Sequence, residues 1–186
     1  MKIYVKAHIL SRLHAIPSYY FPYQTFIAPL IPRVYFNINN FQNLLEEYYY
    51  SKNSSIRYSD LRNSNFNYFG MELYDLLQEH VISTSRSTNN LRRKSFHAIW
   101  EHKKGMIERI QYIHEQGYLK ESEYLIEEYN DLEKKTLILR NLMLKYNLTK
   151  KQEILKKMIP IIQFIQEKEK ITIEILIESI QRHRTN

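Results

Sequence analysis

No cysteine occurs among the 186 residues. That absence excludes thiol catalysis, Cys-ligated zinc, iron–sulfur clusters and any disulfide framework, and it agrees with a reducing cytoplasm. Glycine is scarce, at 3 residues. Neither G-x-G-x-x-G nor G-x-x-x-x-G-K-[ST] is present, so nucleotide binding through those phosphate-cradling loops is removed. No run approaches the ~18 apolar residues a membrane-spanning helix needs. The start, MKIYVKAHILSRLHAI, carries Lys6, His8 and Arg12 where a signal peptide has an unbroken apolar stretch. A cytoplasmic chain without a membrane span is expected.

What is abundant is tyrosine, at 16 residues, and positive charge: 27 Lys and Arg against 20 Asp and Glu give a net +7. Residues 1–95 hold 11 basic and 6 acidic residues, leaving 16 and 14 for the remainder, so the excess lies mostly in the first half of the sequence. Such a charge attracts nucleic acid or acidic surfaces without conferring specificity. A chain of this length can bury roughly two-thirds of its unfolded surface, enough for a core without a disulfide or metal staple.

The expected fold class is mainly α: an antiparallel bundle of three long helices plus two shorter ones, after a short extended N-terminal segment. Residues 1–65 form a mixed, Pro/Tyr-rich region and residues 66–186 a helical domain. Residues 3–9 alternate in the period-two manner of a strand, and RVYFNI at 33–38 reads as a second. Between them Pro17, Pro22, Pro29 and Pro32 hold residues 17–33 extended or turn-like. NNFQNLLEEYYY reads as a short helix capped by Asn39 or Asn40. Another helix runs from about Met71 to Ile82, with Asn/Ser-rich loops before and after it.

The three long helices follow from apolar spacings of three and four. The first begins at about 91–95 and ends at Gln116, where Gly117 supplies a left-handed cap. The second spans about Glu121–Tyr146 and buries Leu125, Tyr129, Leu132, Leu139, Met143 and Tyr146. The third starts at Thr149, where TKKQ reads as a capping box, and Pro160 is expected to kink it. ITIEILIES alternates like a strand, yet its continuity with the preceding helix favours helix.

The stretch most like chemistry is WEHKKGMIERIQYIHEQGYL, residues 100–119. On a helix, His97, Glu101, Lys104, Glu108 and Glu115 fall along one line opposite Ile99, Met106 and Ile110, the arrangement of a solvated face. HEQGY departs from the zinc motif H-E-x-x-H at Tyr118, and Gly117 ends the helix that motif requires. No catalytic residue, metal ligand or cofactor is assigned.

Two residues of this stretch, Lys103 and His114, lie within the apolar arc, where an unpaired charge is costly. The simpler reading is a snorkelling lysine and a hydrogen-bonded histidine near the helix end. The sharper one is that Lys103 faces a pocket and holds an anionic ligand or a buried carboxylate. Antiparallel register predicts an Arg109–Glu128 pair between the first two long helices. Arg92, Arg93 and Lys94 form a basic knot, a candidate binding surface together with Lys103.

SFHAIWEHKKGMIERIQYI, followed about thirty residues on by LRNLMLKYNL, resembles the helical C-terminal region of butirosin-biosynthesis H-type proteins. The matching residues are Glu101, His102, Lys103, Met106, Arg109 and Tyr112, then Arg140, Asn141, Leu142, Lys145 and Tyr146, within a likeness covering about residues 66–180. The resemblance implies a papain-like domain ahead of these helices, with a Cys–His pair moving an acyl group from a carrier protein's phosphopantetheine thiol. Without cysteine that nucleophile is missing, and residues 1–60 are too short for such a domain, so no catalytic residue carries over. The resemblance then implies a truncated or degenerate member, or a stand-alone helical partner. The expected function is a non-catalytic accessory or interaction protein, linked by the resemblance to carrier-protein-dependent peptide biosynthesis, with an acidic protein such as a carrier protein as partner. The rival is a nucleic-acid-associated basic helical protein.

Overall fold

The computed structural model describes residues 36–53, 68–87 and 89–185. It contains α1 (Ile38–Tyr49), α2 (Glu72–Ser87), α3 (Arg93–Glu115), α4 (Glu123–Thr149) and α5 (Gln152–Thr185), and no strand among the described residues. The expected helical bundle of three long and two shorter helices is present. The strand expected at 3–9 and the extended stretch at 17–33 lie outside the described residues. Of the strand expected at 33–38, the described part is different: Asn37 caps α1 and Ile38 begins it.

Helix ends follow local chemistry. Asn37, rather than Asn39 or Asn40, is the N-cap of α1; its Oδ1 accepts from the backbone N–H of both those residues, at 2.9 and 3.2 Å. The end of α3 is a Schellman turn. Gly117 takes φ +77°, its N–H reaches the His114 carbonyl, and the Tyr118 N–H reaches the Ile113 carbonyl. Thr149 is the last residue of α4 and not the cap of the next helix. Its hydroxyl donates back to the Lys145 carbonyl at 2.9 Å, and Lys150 then adopts a left-handed backbone that turns the chain within two residues. α2 runs a turn further than the spacing predicts, to Ser87. α5 continues as one helix through Pro160 and through ITIEILIES.

α3 and α4 are antiparallel neighbours, as are α4 and α5, while α1 and α2 both pack on α5. The register is visible in side-chain bonds. Trp100 of α3 donates to Glu133 of α4, Lys168 of α5 meets Glu128 and Asp131 of α4, and Gln166 of α5 meets Asp75 and Gln78 of α2. Buried positions on α4 recur at Leu125, Tyr129, Leu132, Thr136, Leu139, Met143 and Tyr146, the alternating four-and-three spacing of a seven-residue repeat. α3 repeats the pattern with Phe96, Lys103, Met106, Ile110 and Ile113. Phe41 and Leu45 of α1 and Tyr74, Leu77 and Val81 of α2 complete the same core. Each fully buried aliphatic side chain contributes roughly 1.5–3 kcal/mol.

Candidate functional site

The repeat on α3 places a lysine where an apolar residue belongs. Lys103 is wholly buried. It is not a snorkelling side chain: its Nζ forms an ion pair with Oε1 of Glu169, itself wholly buried in the corresponding repeat of α5, between Ile165 and Ile173. Burial disfavours both charges, and only direct pairing with further hydrogen bonds makes them tolerable. The other carboxylate oxygen, Oε2, accepts from the Tyr74 hydroxyl of α2 at 2.6 Å and from the Tyr48 hydroxyl of α1 at 3.2 Å. Three donors on one carboxylate are what an ionised glutamate requires. One carboxylate thus ties four helices together.

The cation is enclosed on its other sides. Lys103 Nζ lies 3.1 Å from Nδ1 of His102, and since an ammonium only donates, that ring nitrogen is an acceptor and the proton sits on Nε2. Its charge also faces the rings of Tyr74 and Tyr48, 5.4 and 5.9 Å from their centroids. Desolvation draws the Lys103 pKa below the ordinary lysine value, opposed by the charge and hydrogen bond of Glu169. His102 is held well below the usual histidine range by burial, then by the positive charges of Lys103 and Arg109. It stays neutral, stacked against Tyr48 at 5.1 Å. Burial, then the Glu169 charge, pushes the Tyr48, Tyr74 and Tyr129 hydroxyls far above the ordinary tyrosine value.

Beside this network lies a cavity of about 10 Å³, lined by residues that include Tyr48, His102, Met106 and Tyr129. That volume is about what one water molecule requires. The network's charged and hydroxyl groups face one another across four helices.

The solvated face of α3 is where the spacing puts it, with His97, Glu101, Lys104, Glu108 and Glu115 all exposed; His97 approaches Glu101 at 3.9 Å. His114 is a hydrogen-bonded histidine at the helix end, its Nδ1 3.0 Å from the Leu119 carbonyl. Glu128, expected opposite Arg109, forms an ion pair with Lys168 of α5 at 3.2 Å. Burial draws the Arg109 pKa down, opposed by the charge of its neighbour Glu108.

Arg92, Arg93 and Lys94 stand at the start of α3, away from Lys103. Arg92 is the N-cap residue and contributes no side-chain cap. Their backbone neighbourhood is fixed by Asn147 of α4, which accepts from Leu91 N–H at 2.8 Å and donates to the Leu91 carbonyl at 2.9 Å. Lys150 donates to Asn90 across the same gap. Sequence reasoning found Lys103 but not Glu169, Tyr48, Tyr74 or His102. A glutamate interrupting the apolar repeat Ile162, Ile165, Ile173, Leu176 was the available signal.

Comparison of the chain with protein-family models, curated proteins and solved structures finds no match.

Proposed function

We propose that this protein is a non-catalytic helical interaction protein that docks an acidic protein partner. The observation that carries the reading is the burial of the Lys103–Glu169 network: among the described residues, it draws ionisable groups from four helices and turns them on one another. General acid, base or nucleophilic work needs a group within reach of substrate, whereas a buried, hydrogen-bonded ion pair in a helical repeat sets register. Among the described residues no helix is long and apolar enough to cross a membrane. The resemblance of residues 66–180 supports a place in carrier-protein-dependent peptide biosynthesis, where an acidic carrier protein would be the partner.

The test is capture on the full-length chain from native lysate at moderate salt, with absorbance and mass spectrometry of the eluate. A stoichiometric acidic protein, insensitive to nuclease, is expected, and phosphopantetheine on it would support the biosynthetic assignment. A nuclease-sensitive 260 nm signal in its place overturns the reading in favour of nucleic-acid association.

A further inference from the structure

Antiparallel packing brings the C-terminal ends of α2 and α4 and the N-terminal ends of α3 and α5 to one end of the bundle. The contacts that establish this are Leu91 with Asn147, Asn90 with Lys150 and the Arg92 N–H with His80 Nε2. The two segments that build this end, residues 82–97 and 141–158, carry four and five Lys or Arg, nine in all, and one acidic residue, Glu153. The described residues hold 21 basic and 19 acidic residues, which leaves 12 and 18 outside this end. Among the described residues, this end therefore carries the positive charge and the remainder is net negative.

That concentration opposes local stability. Arg93 and Lys94 occupy the first turn of α3, where the helix dipole disfavours cations, with no acidic residue in that turn and no side-chain cap. Lys145, Lys151, Lys156 and Lys157 are exposed as well, so like charges crowd one surface. Among them stands Leu148, 82 % exposed. The large apolar side chains that these two segments expose, Ile82 and Leu148, are both aliphatic, while Phe96 and Tyr146 are buried. Base stacking on single-stranded nucleic acid requires exposed aromatic faces. A cationic rim about an aliphatic contact instead matches the anatomy of a protein interface.

We infer that this bundle end is a docking surface for the acidic face of a protein partner, with an apolar side chain of the partner seated on Leu148. The inference rests on the interaction-protein reading and assigns its surface.

The experiment uses the full chain and two synthetic acidic helical peptides of equal charge, one with a leucine stripe and one with serine in those positions. A single-stranded DNA oligonucleotide and phosphatidylserine vesicles serve as competing probes, all near physiological salt. The leucine-bearing peptide is expected to bind about tenfold tighter than its serine counterpart, about 1.4 kcal/mol. Leu148→Gln should abolish that preference while leaving the serine peptide's affinity unchanged. The combined K145E, K151E and K156E variant should weaken both peptides by tenfold or more; if it does not fold, the corresponding lysine-to-glutamine variant is read in the same way. Unaltered peptide binding in the lysine variant, no preference between the peptides, or tighter binding of DNA or vesicles than of the leucine peptide overturns the assignment. The failures are separable. An acidic protein captured equally by wild type and the lysine variant refutes this surface but keeps the interaction reading, whereas capture of nucleic acid alone refutes that reading itself.

Discussion

Lys103 of α3 and Glu169 of α5 form an ion pair with no solvent access, each standing at a position its helix otherwise reserves for an apolar side chain. Lys103→Met leaves Glu169 buried without its cation and is expected to cost about 3–5 kcal/mol. Adding Glu169→Leu removes the stranded charge and should recover most of that loss. Urea denaturation of both single variants and the double variant measures the coupling; additive losses would refute a specific pair.

The two tyrosines on Glu169 are not equivalent. Tyr74 donates at 2.6 Å and Tyr48 at 3.2 Å. Tyr74→Phe is expected to lose about 1.5–3 kcal/mol, the range for a hydrogen bond to a charged group, and Tyr48→Phe less. Denaturation midpoints with unchanged slopes check the order, and a larger loss for Tyr48→Phe would contradict it.

Acidification acts on His102, which faces Lys103, Arg109, Glu169 and the ring of Tyr48. Its folded pKa lies well below 6.5, its ordinary value. The unfolded chain therefore takes up a proton near that pH which the folded protein refuses until lower pH. More protons bound by the unfolded state means that stability falls as pH drops below about 6.5, through the folded pKa. His80 adds a smaller slope of the same sign, its pKa lowered by partial burial and then by Arg92. Stability measured from pH 7 to pH 5 should fall less steeply in His102→Phe than in wild type; parallel curves would exclude His102 as the source.

Two glycines with positive φ should respond differently to alanine. Gly70 has φ +53°, and an added Cβ would lie 2.0 Å from the Tyr48 carbonyl oxygen, a backbone atom with no room to yield. Gly117 has φ +77° and open space around it. Gly117→Ala is expected to cost about 1–2 kcal/mol, the left-handed backbone alone. Gly70→Ala should cost more than that, because steric overlap at the α1–α2 junction is added. Thermal melts of the two variants test the order.

How much was legible follows from the range of each interaction. The three-and-four spacing of Phe96, Met106, Ile110 and Ile113, and of Leu125 through Tyr146, is a property of contiguous residues, so the long helices and their buried faces could be read directly. Gly117 was legible for the same reason. Thr149 was misread because TKKQ suits both a helix start and a helix end; the choice fell to the hydroxyl's bond back to Lys145 and the left-handed turn at Lys150. The Lys168–Glu128 ion pair could not be read from a two-helix register, because it depends on α5 packing against α4.

The sequence by itself determined the helices, the absence of thiol chemistry and the anomaly of a lysine in an apolar stripe, all of which depend on composition or on residues a turn apart. Tertiary structure alone decided that Lys103 meets Glu169, 66 residues away, and that Tyr48 and Tyr74 complete its shell. It also decided that Arg93, Lys94, Lys145 and Lys151 share one end of the molecule. Buried charges choose partners, and surface charges choose neighbours, by the packing of helices distant in the chain.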